Sequence, residues 1–312
     1  MKCRPCLVVA AILAIATFAL SQEPPSDTKH GIMVRSAQIF VSPEDSSAKM
    51  GEITRGREVF VMDVTGEWAH VLASLGGEKD ITGWMLNKGI VHIDTPDGPK
   101  ILFGEAAASE LEASKPHGRR GAADDARRLY YRVFDYFPKS DLAGEGLYRA
   151  ADILWQMDTH NRTRSESTME DMTNPASAAD DTMKLVEKKF PHTKWADMAA
   201  FHLIDDKLCD DWIGQSKCPD KEADVYEKYA ADHPDSPNAA EALYDAAIRR
   251  ADLIEIYKTE TNQKKSDESR ERAKSDANLA VSKYPQTDWA LRSRTLIYMI
   301  DQGIPTYGNG LQ

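Results

Sequence analysis

The sequence predicts a multidomain chain: a small all-β unit followed by an all-α helical-hairpin repeat. Three observations predict it. Short β-branched and aromatic runs separated by turn residues fill the stretch from Ile32 to Ile93. Ala-rich segments with helical spacing take over after Pro99. Within that second stretch one short phrase returns four times. The expected boundaries are 1–21 for an export signal, 22–31 for an exposed linker, 32–94 for the β unit, 95–100 for a second linker and 101–312 for the helical repeat.

Composition narrows the function classes. With 42% hydrophobic and 29% charged residues the 312-residue chain is globular rather than disordered. Its 50 acidic against 39 basic residues give a formal charge of −11, which opposes contact with a nucleic-acid polyanion. Neither a phosphate-cradling Gly-rich loop nor an HExxH metal pair is present. The expectation is a non-enzymatic protein without cofactor or metal.

Lys2 and Arg4 precede a largely apolar stretch from Leu7 to Leu20, and the chain turns polar from Gln22 to Asp27. This is the layout of a secretory signal, with Ala19-Leu20-Ser21 offering small residues at the two positions a signal peptidase reads. Cleavage before Gln22 is expected, and loss of Lys2 and Arg4 takes the formal charge from −11 to −13. A retained anchor is the alternative, but Leu7 to Leu20 falls short of the roughly 20 residues that span a bilayer. Cys3 and Cys6 stand before the apolar core, whereas an acylated lipoprotein cysteine stands after it.

In the β unit the first run is Gln38 to Val41, closed by Ser42-Pro43 because proline cannot donate to a ladder. Glu58 to Val64 is nearly continuous in apolar residues, and Thr65-Gly66-Glu67 turns it into Trp68 to Leu72. Gly76-Gly77 precedes a last strand from Thr82 to Leu86.

Val41-Ser42-Pro43, Met50-Gly51-Glu52-Ile53, Arg55-Gly56, Glu67-Trp68-Ala69-His70-Val71 and Gly83-Trp84 together resemble the bacterial SH3 domains of exported proteins, the SH3b group. The resemblance covers about a fifth of the chain and implies a small SH3-like barrel. It also implies a module that binds cell-wall peptides or packs as a spacer. Phe40, Trp68 and Trp84 are thus either core and rim of the barrel or an aromatic groove for an extended ligand.

The repeated phrase of the second unit is Phe137-Pro138-Lys139-Ser140, Phe190-Pro191-His192-Thr193, His233-Pro234-Asp235-Ser236 and Tyr284-Pro285-Gln286-Thr287. Proline disfavours helical geometry in the residue before it and ends one helix, while the Ser or Thr can cap the next. Ahead of each proline Tyr130, Val133 and Phe137, Met183, Val186 and Phe190, Tyr226, Tyr229 and His233, and Ala277, Ala280 and Tyr284 draw one helical stripe. Five residues after it Ala143, Ala196, Ala239 and Ala290 allow two helices to approach closely.

These phrases resemble tetratricopeptide-like helical hairpins of envelope assembly and scaffold proteins. The resemblance implies a solenoid whose concave surface binds peptides or partner proteins, with no fixed catalytic residue. The prolines are spaced by 53, 43 and 51 residues against about 34 in the standard repeat, so long helices or inserts at Thr159 to Ser177, Cys209 to Pro219 and Thr259 to Glu268 are expected.

Cys209 and Cys218 are the only cysteines after the signal, and an oxidising compartment favours a disulfide between them. A redox or metal pair would want CxxC spacing or added histidines. Asp205-Asp206 and Asp210-Asp211 read as solvated acids, because adjacent helical residues diverge by about 100°. Arg119, Arg120, Arg127, Arg128 and Arg132 form a basic cluster, either a solvated face with Asp124 and Arg128 paired at i, i+4 or a docking patch for an acidic partner. The leading expectation is an exported scaffold binding a protein or peptide in the bacterial envelope. The alternative is a binder of cell-wall peptides through the β unit.

Overall fold

The structure, a computed structural model, describes residues 29–307 apart from 77–78, 166–177, 210–211 and 213. The expected signal, its cleavage point, Gly77, Asp210 and Asp211 lie outside the described residues. An amino-terminal antiparallel sheet of seven strands is followed by nine α-helices among the described residues. None of these helices is long and apolar enough to cross a membrane.

The strands are β1 (Lys29–Met33), β2 (Ala37–Phe40), β3 (Lys49–Ile53), β4 (Glu58–Thr65), β5 (Trp68–Gly76), β6 (Lys79–Leu86) and β7 (Ile90–His92). Their order across the sheet is β3-β2-β6-β5-β4-β1-β7. The predicted runs in β2, β4, β5 and β6 form, and β4 turns into β5 with Thr65 opposite Trp68 and Gly66 at a φ of 61°. A two-residue hairpin turn needs that positive φ. Period-two alternation sends Ile39, Val59, Val61, Ala69, Val71, Ala73 and Met85 into one core with Met33 and Ile53.

Three strands were not among the predicted runs. β1 takes Lys29, His30 and Gly31 out of the expected linker, pairing with β4 on one side and β7 on the other. β3 carries Lys49, Gly51 and Glu52, and β7 is three residues long. β3 has few apolar residues and β7 is short, and pairing with distant strands supplies what local propensity lacks.

The helices are α1 (Gly98–Ala113), α2 (Ala122–Tyr136), α3 (Ala143–Ser165), α4 (Ala178–Lys189), α5 (Lys194–His202), α6 (Lys217–Asp232), α7 (Ala239–Thr259), α8 (Gln263–Lys283) and α9 (Asp288–Asp301). α1 begins inside the expected linker, with Pro99 in its first turn, where the missing N–H costs no helical bond. The four phrases separate α2 from α3, α4 from α5, α6 from α7 and α8 from α9.

At each break the residue before proline closes the first helix in the same way. The N–H groups of Phe137, Phe190, His233 and Tyr284 donate to the carbonyls of Val133, Val186, Tyr229 and Ala280 at 3.1, 2.9, 2.9 and 3.0 Å. Thr193 and Thr287 then cap α5 and α9 by accepting from the N–H of Ala196 and Ala290. Ser140 and Ser236 accept instead from Leu142 and Asn238, one residue ahead of α3 and α7. Ala143, Ala196, Ala239 and Ala290 are all buried.

Long helices account for the 51-residue step, with 21 residues each in α7 and α8, whereas in the 43-residue step α5 has nine residues and the segment from Leu203 to Ser216 separates it from α6. Thr259 to Glu268 is accordingly no inserted loop, since only Glu260 to Asn262 separate α7 from α8. Core clusters pass along the helices in order, from α3, α4 and α5, through α6 and α7, to α7, α8 and α9. The sheet joins this series directly, because Ile32 and Val91 share a core with Leu102, Ala106, Ala126, Leu129, Tyr130 and Val133 of α1 and α2.

Candidate functional site

The alternation that buries Ala69 and Val71 places Trp68 and His70 on the other face of β5. β6 brings Trp84 opposite His70, and β2 brings Phe40 opposite Trp84. The His70 and Trp84 rings stack with centroids 4.8 Å apart, and Phe40 meets Trp68 edge to face at 5.6 Å. Phe40, Trp68 and Trp84 are therefore neighbours. Phe40 is buried and supports the patch, while both tryptophans are half-buried and keep surface for contact. Sequence reading missed His70 as part of it; its place two residues after Trp68 on the same strand face was the available signal.

The basic cluster is used mostly inside the molecule. The turn between β3 and β4 presses on α2, where Arg55, 15% exposed, reaches Glu105 of α1 at 3.0 Å and Asp125 of α2 at 3.7 Å. Arg128 donates from Nε to the Arg55 carbonyl at 3.1 Å and pairs with Asp125 at 2.5 Å, and Arg132 donates to the Gly56 carbonyl at 3.4 Å. Arg119 closes on Asp125 from a third side at 2.7 Å. Arg127 pairs with Asp124 at 3.3 Å. The anticipated Asp124–Arg128 pair is present at 3.7 Å, yet Arg128 is only 21% exposed and lies between sheet and helix rather than on a solvated face. Of the five, Arg120 is exposed and makes no ion pair among the described residues. This crowding of guanidiniums has an electrostatic consequence: burial, and then Arg128, lower Arg57 below the ordinary arginine pKa.

Cys209 and Cys218 stand at disulfide distance, with Cα atoms 5.9 Å apart. The loop they close is seated by Glu222, one turn after Cys218 and 2% exposed. Its carboxylate accepts from the Cys209 N–H at 3.1 Å, from the Trp212 indole at 2.9 Å and from Arg249 at 3.3 Å. Arg249 also lies over the rings of Trp212 and Tyr226. A buried carboxylate with three donors has its charge compensated, and here those bonds tie the loop to α6 and α7.

Arg250 is buried at the junction of α6, α7 and α8, paired with Asp220, Asp224 and Glu227, the last at 2.9 Å. Arg272 from α8 reaches Asp224 at 3.0 Å and Glu227 at 2.5 Å. Asp276 beside them is pushed up to about 7, first by burial and then by Glu227. Asp245, on α7 near Asp205 and Glu241, is pushed up to about 7 by burial despite Arg249. Asp205 sits in a single 3-10 turn, Asp205–Lys207. Among the described residues no group of three or more His, Cys, Asp or Glu side chains is arranged to hold a metal ion.

Comparison with protein-family models and with curated proteins returns no match.

Proposed function

We propose that the protein is an exported, non-enzymatic scaffold of the bacterial envelope, in which an SH3-like barrel is fixed to a tetratricopeptide-like solenoid that holds a protein or peptide partner. The observation that carries this reading is the fourfold reuse of one helix-ending turn, each followed by a buried alanine, which sets helical hairpins side by side. Stacked hairpins offer a long surface to a partner while their cores depend only on neighbours. The clamp of Arg55, Arg128 and Arg132 holds the two units in one orientation, a property a scaffold needs and a flexible tether lacks. A photo-crosslinking residue at Tyr131, Asp181 or Lys228, all exposed on first helices of hairpins, is expected to capture one common envelope protein or peptide in cells. Absence of any crosslinked species from all three positions sinks the proposal.

A second reading is supported by the aromatic patch, in which Trp68 and Trp84 keep exposed surface beside His70. Under it the β unit binds cell-wall peptides. Retention of the protein on purified wall fragments that disappears on Trp68→Ala or Trp84→Ala selects this reading over the first.

A further inference from the structure

α1, the first helix after the sheet, turns one face with Leu102, Ala106 and Ser109 inward, where Leu102 and Ala106 join the core shared with α2. The stripe on its opposite face is uncharged. Ile101 is 42% and Leu111 65% exposed there, and Gly104 and Ala108 between them are exposed as well. Isolated surface hydrophobics are ordinary, but these four recur at steps of three, four and three, the seam of a helix that packs on another helix. Among the described residues nothing outside the helix itself stands within 4 Å of a Cβ added at Gly104, so the middle of the seam is uncovered.

The seam reads alike from either end. Asp97, the N-cap residue, and Lys115, just past the last turn, extend it by a step of four each way. Asp97 with Lys115, Ile101 with Leu111 and Gly104 with Ala108 are then pairs centred on position 106. On a second copy laid antiparallel about a two-fold axis at that position, each aspartate meets the copy's lysine and each isoleucine the copy's leucine. The small residues meet where the helix axes cross and allow a close approach. A parallel pair would instead set Asp97 against Asp97 and Lys115 against Lys115, so charge selects the antiparallel arrangement. Both charged side chains are accessible, 67% and 56% exposed, and each is held in its own helix only by an exposed i, i+3 pair, with Lys100 at 2.8 Å and Glu112 at 2.6 Å.

We propose that α1 is a self-association surface, on which two copies of this chain pair antiparallel through Ile101, Gly104, Ala108 and Leu111 with an Asp97–Lys115 contact at each end. One helix on one helix buries less than the roughly 1,200 Å² of a standard stable interface, so the dimer is weak and reversible. Self-association through α1 does not depend on a partner for the hairpins. With such a partner, it presents two copies of the hairpin surface at once.

Sedimentation velocity of the purified protein, from low micromolar to near-millimolar concentration, tests it. A monomer–dimer equilibrium is expected. Leu111→Arg and Gly104→Leu should each weaken it about tenfold or more without lowering the Tm of dilute protein, since both positions are exposed in the single chain. Asp97→Lys and Lys115→Asp should each weaken dimerisation alone, because each sets like charges opposite one another, and an equimolar mixture of the two variants should dimerise better than either. Monomer at every concentration, a dimer indifferent to both Leu111→Arg and Gly104→Leu, or a mixture of the charge variants that associates no better than its components overturns the assignment.

Discussion

Gly56 lies where the turn between β3 and β4 meets α2, and replacing it by alanine tests whether that contact holds the two units together. The residue has a φ of 73°, a left-handed conformation that costs an L-residue about 1 to 2 kcal/mol. An added Cβ would also stand 2.6 Å from Arg128 Cβ and 3.0 Å from the Leu129 backbone nitrogen. Those atoms belong to the body of α2 and cannot swing aside, so the turn must retreat, an overpacking that typically costs a further 1 to 3 kcal/mol, about 2 to 5 in all. Retreat also stretches the bonds from Arg128 to the Arg55 carbonyl and from Arg132 to the Gly56 carbonyl. Gly66 provides the control, with a φ of 61° and no atom within 4 Å of an added Cβ. Gly66→Ala should therefore lose only the conformational part, about 1 to 2 kcal/mol. Urea unfolding followed by tryptophan fluorescence and by far-ultraviolet circular dichroism compares the two. Gly56→Ala should lose about 1 to 3 kcal/mol more than Gly66→Ala. Equal losses would refute the account of a tight sheet–helix contact.

Ala239 is fully buried at the start of α7, so Ala239→Leu should destabilise by about 1 to 3 kcal/mol and lower the Tm, whereas Leu291→Ala on the exposed side of α9 should stay within about 0.5 kcal/mol. Protein purified without reductant should be two hydrogens lighter than its reduced form, and replacing both Cys209 and Cys218 by Ser should cost about 2 to 3 kcal/mol in chemical denaturation. Stability should also depend on pH through Asp245 and Asp276, whose pKa values rise in the folded state from 3.8 to about 7. The folded protein keeps protons that the unfolded chain releases, so their contribution is fullest below about pH 4 and is lost as pH rises through about 7. Asp276→Asn should flatten that decline in Tm measured from pH 4 to 8; an unchanged slope would remove Asp276 from the explanation.

What the sequence by itself determined lies within short windows of chain. The strand runs at Glu58 to Thr65 and Trp68 to Gly76 follow from β-branched residues and the turn at Gly66, and the four helix breaks follow from proline acting on the residue before it. Burial of Ala143, Ala196, Ala239 and Ala290 was legible for the same reason, since a fixed offset from a turn fixes the helix face. The nearness of Cys209 to Cys218, nine positions apart, belongs to this class as well. Even the aromatic patch was half legible: Trp68 and His70 share a strand face, but only strand order sets them beside Trp84 and Phe40.

Tertiary structure decided where those pieces meet. No local signal marks β1 as a strand between β4 and β7, because its pairing energy comes from residues about 30 and 60 positions away. Arg128 and Arg132 read as part of one more charged helix face until the turn at Arg55 and Gly56, more than 70 residues earlier, is laid against them. The bond from the Tyr136 hydroxyl to Glu58, across 78 positions, has the same origin. Charge and hydrogen-bonding groups carry no periodic mark of their partners, so their roles emerge only when chain entropy has been overcome by the packing of Ile32 and Val91 onto α1 and α2.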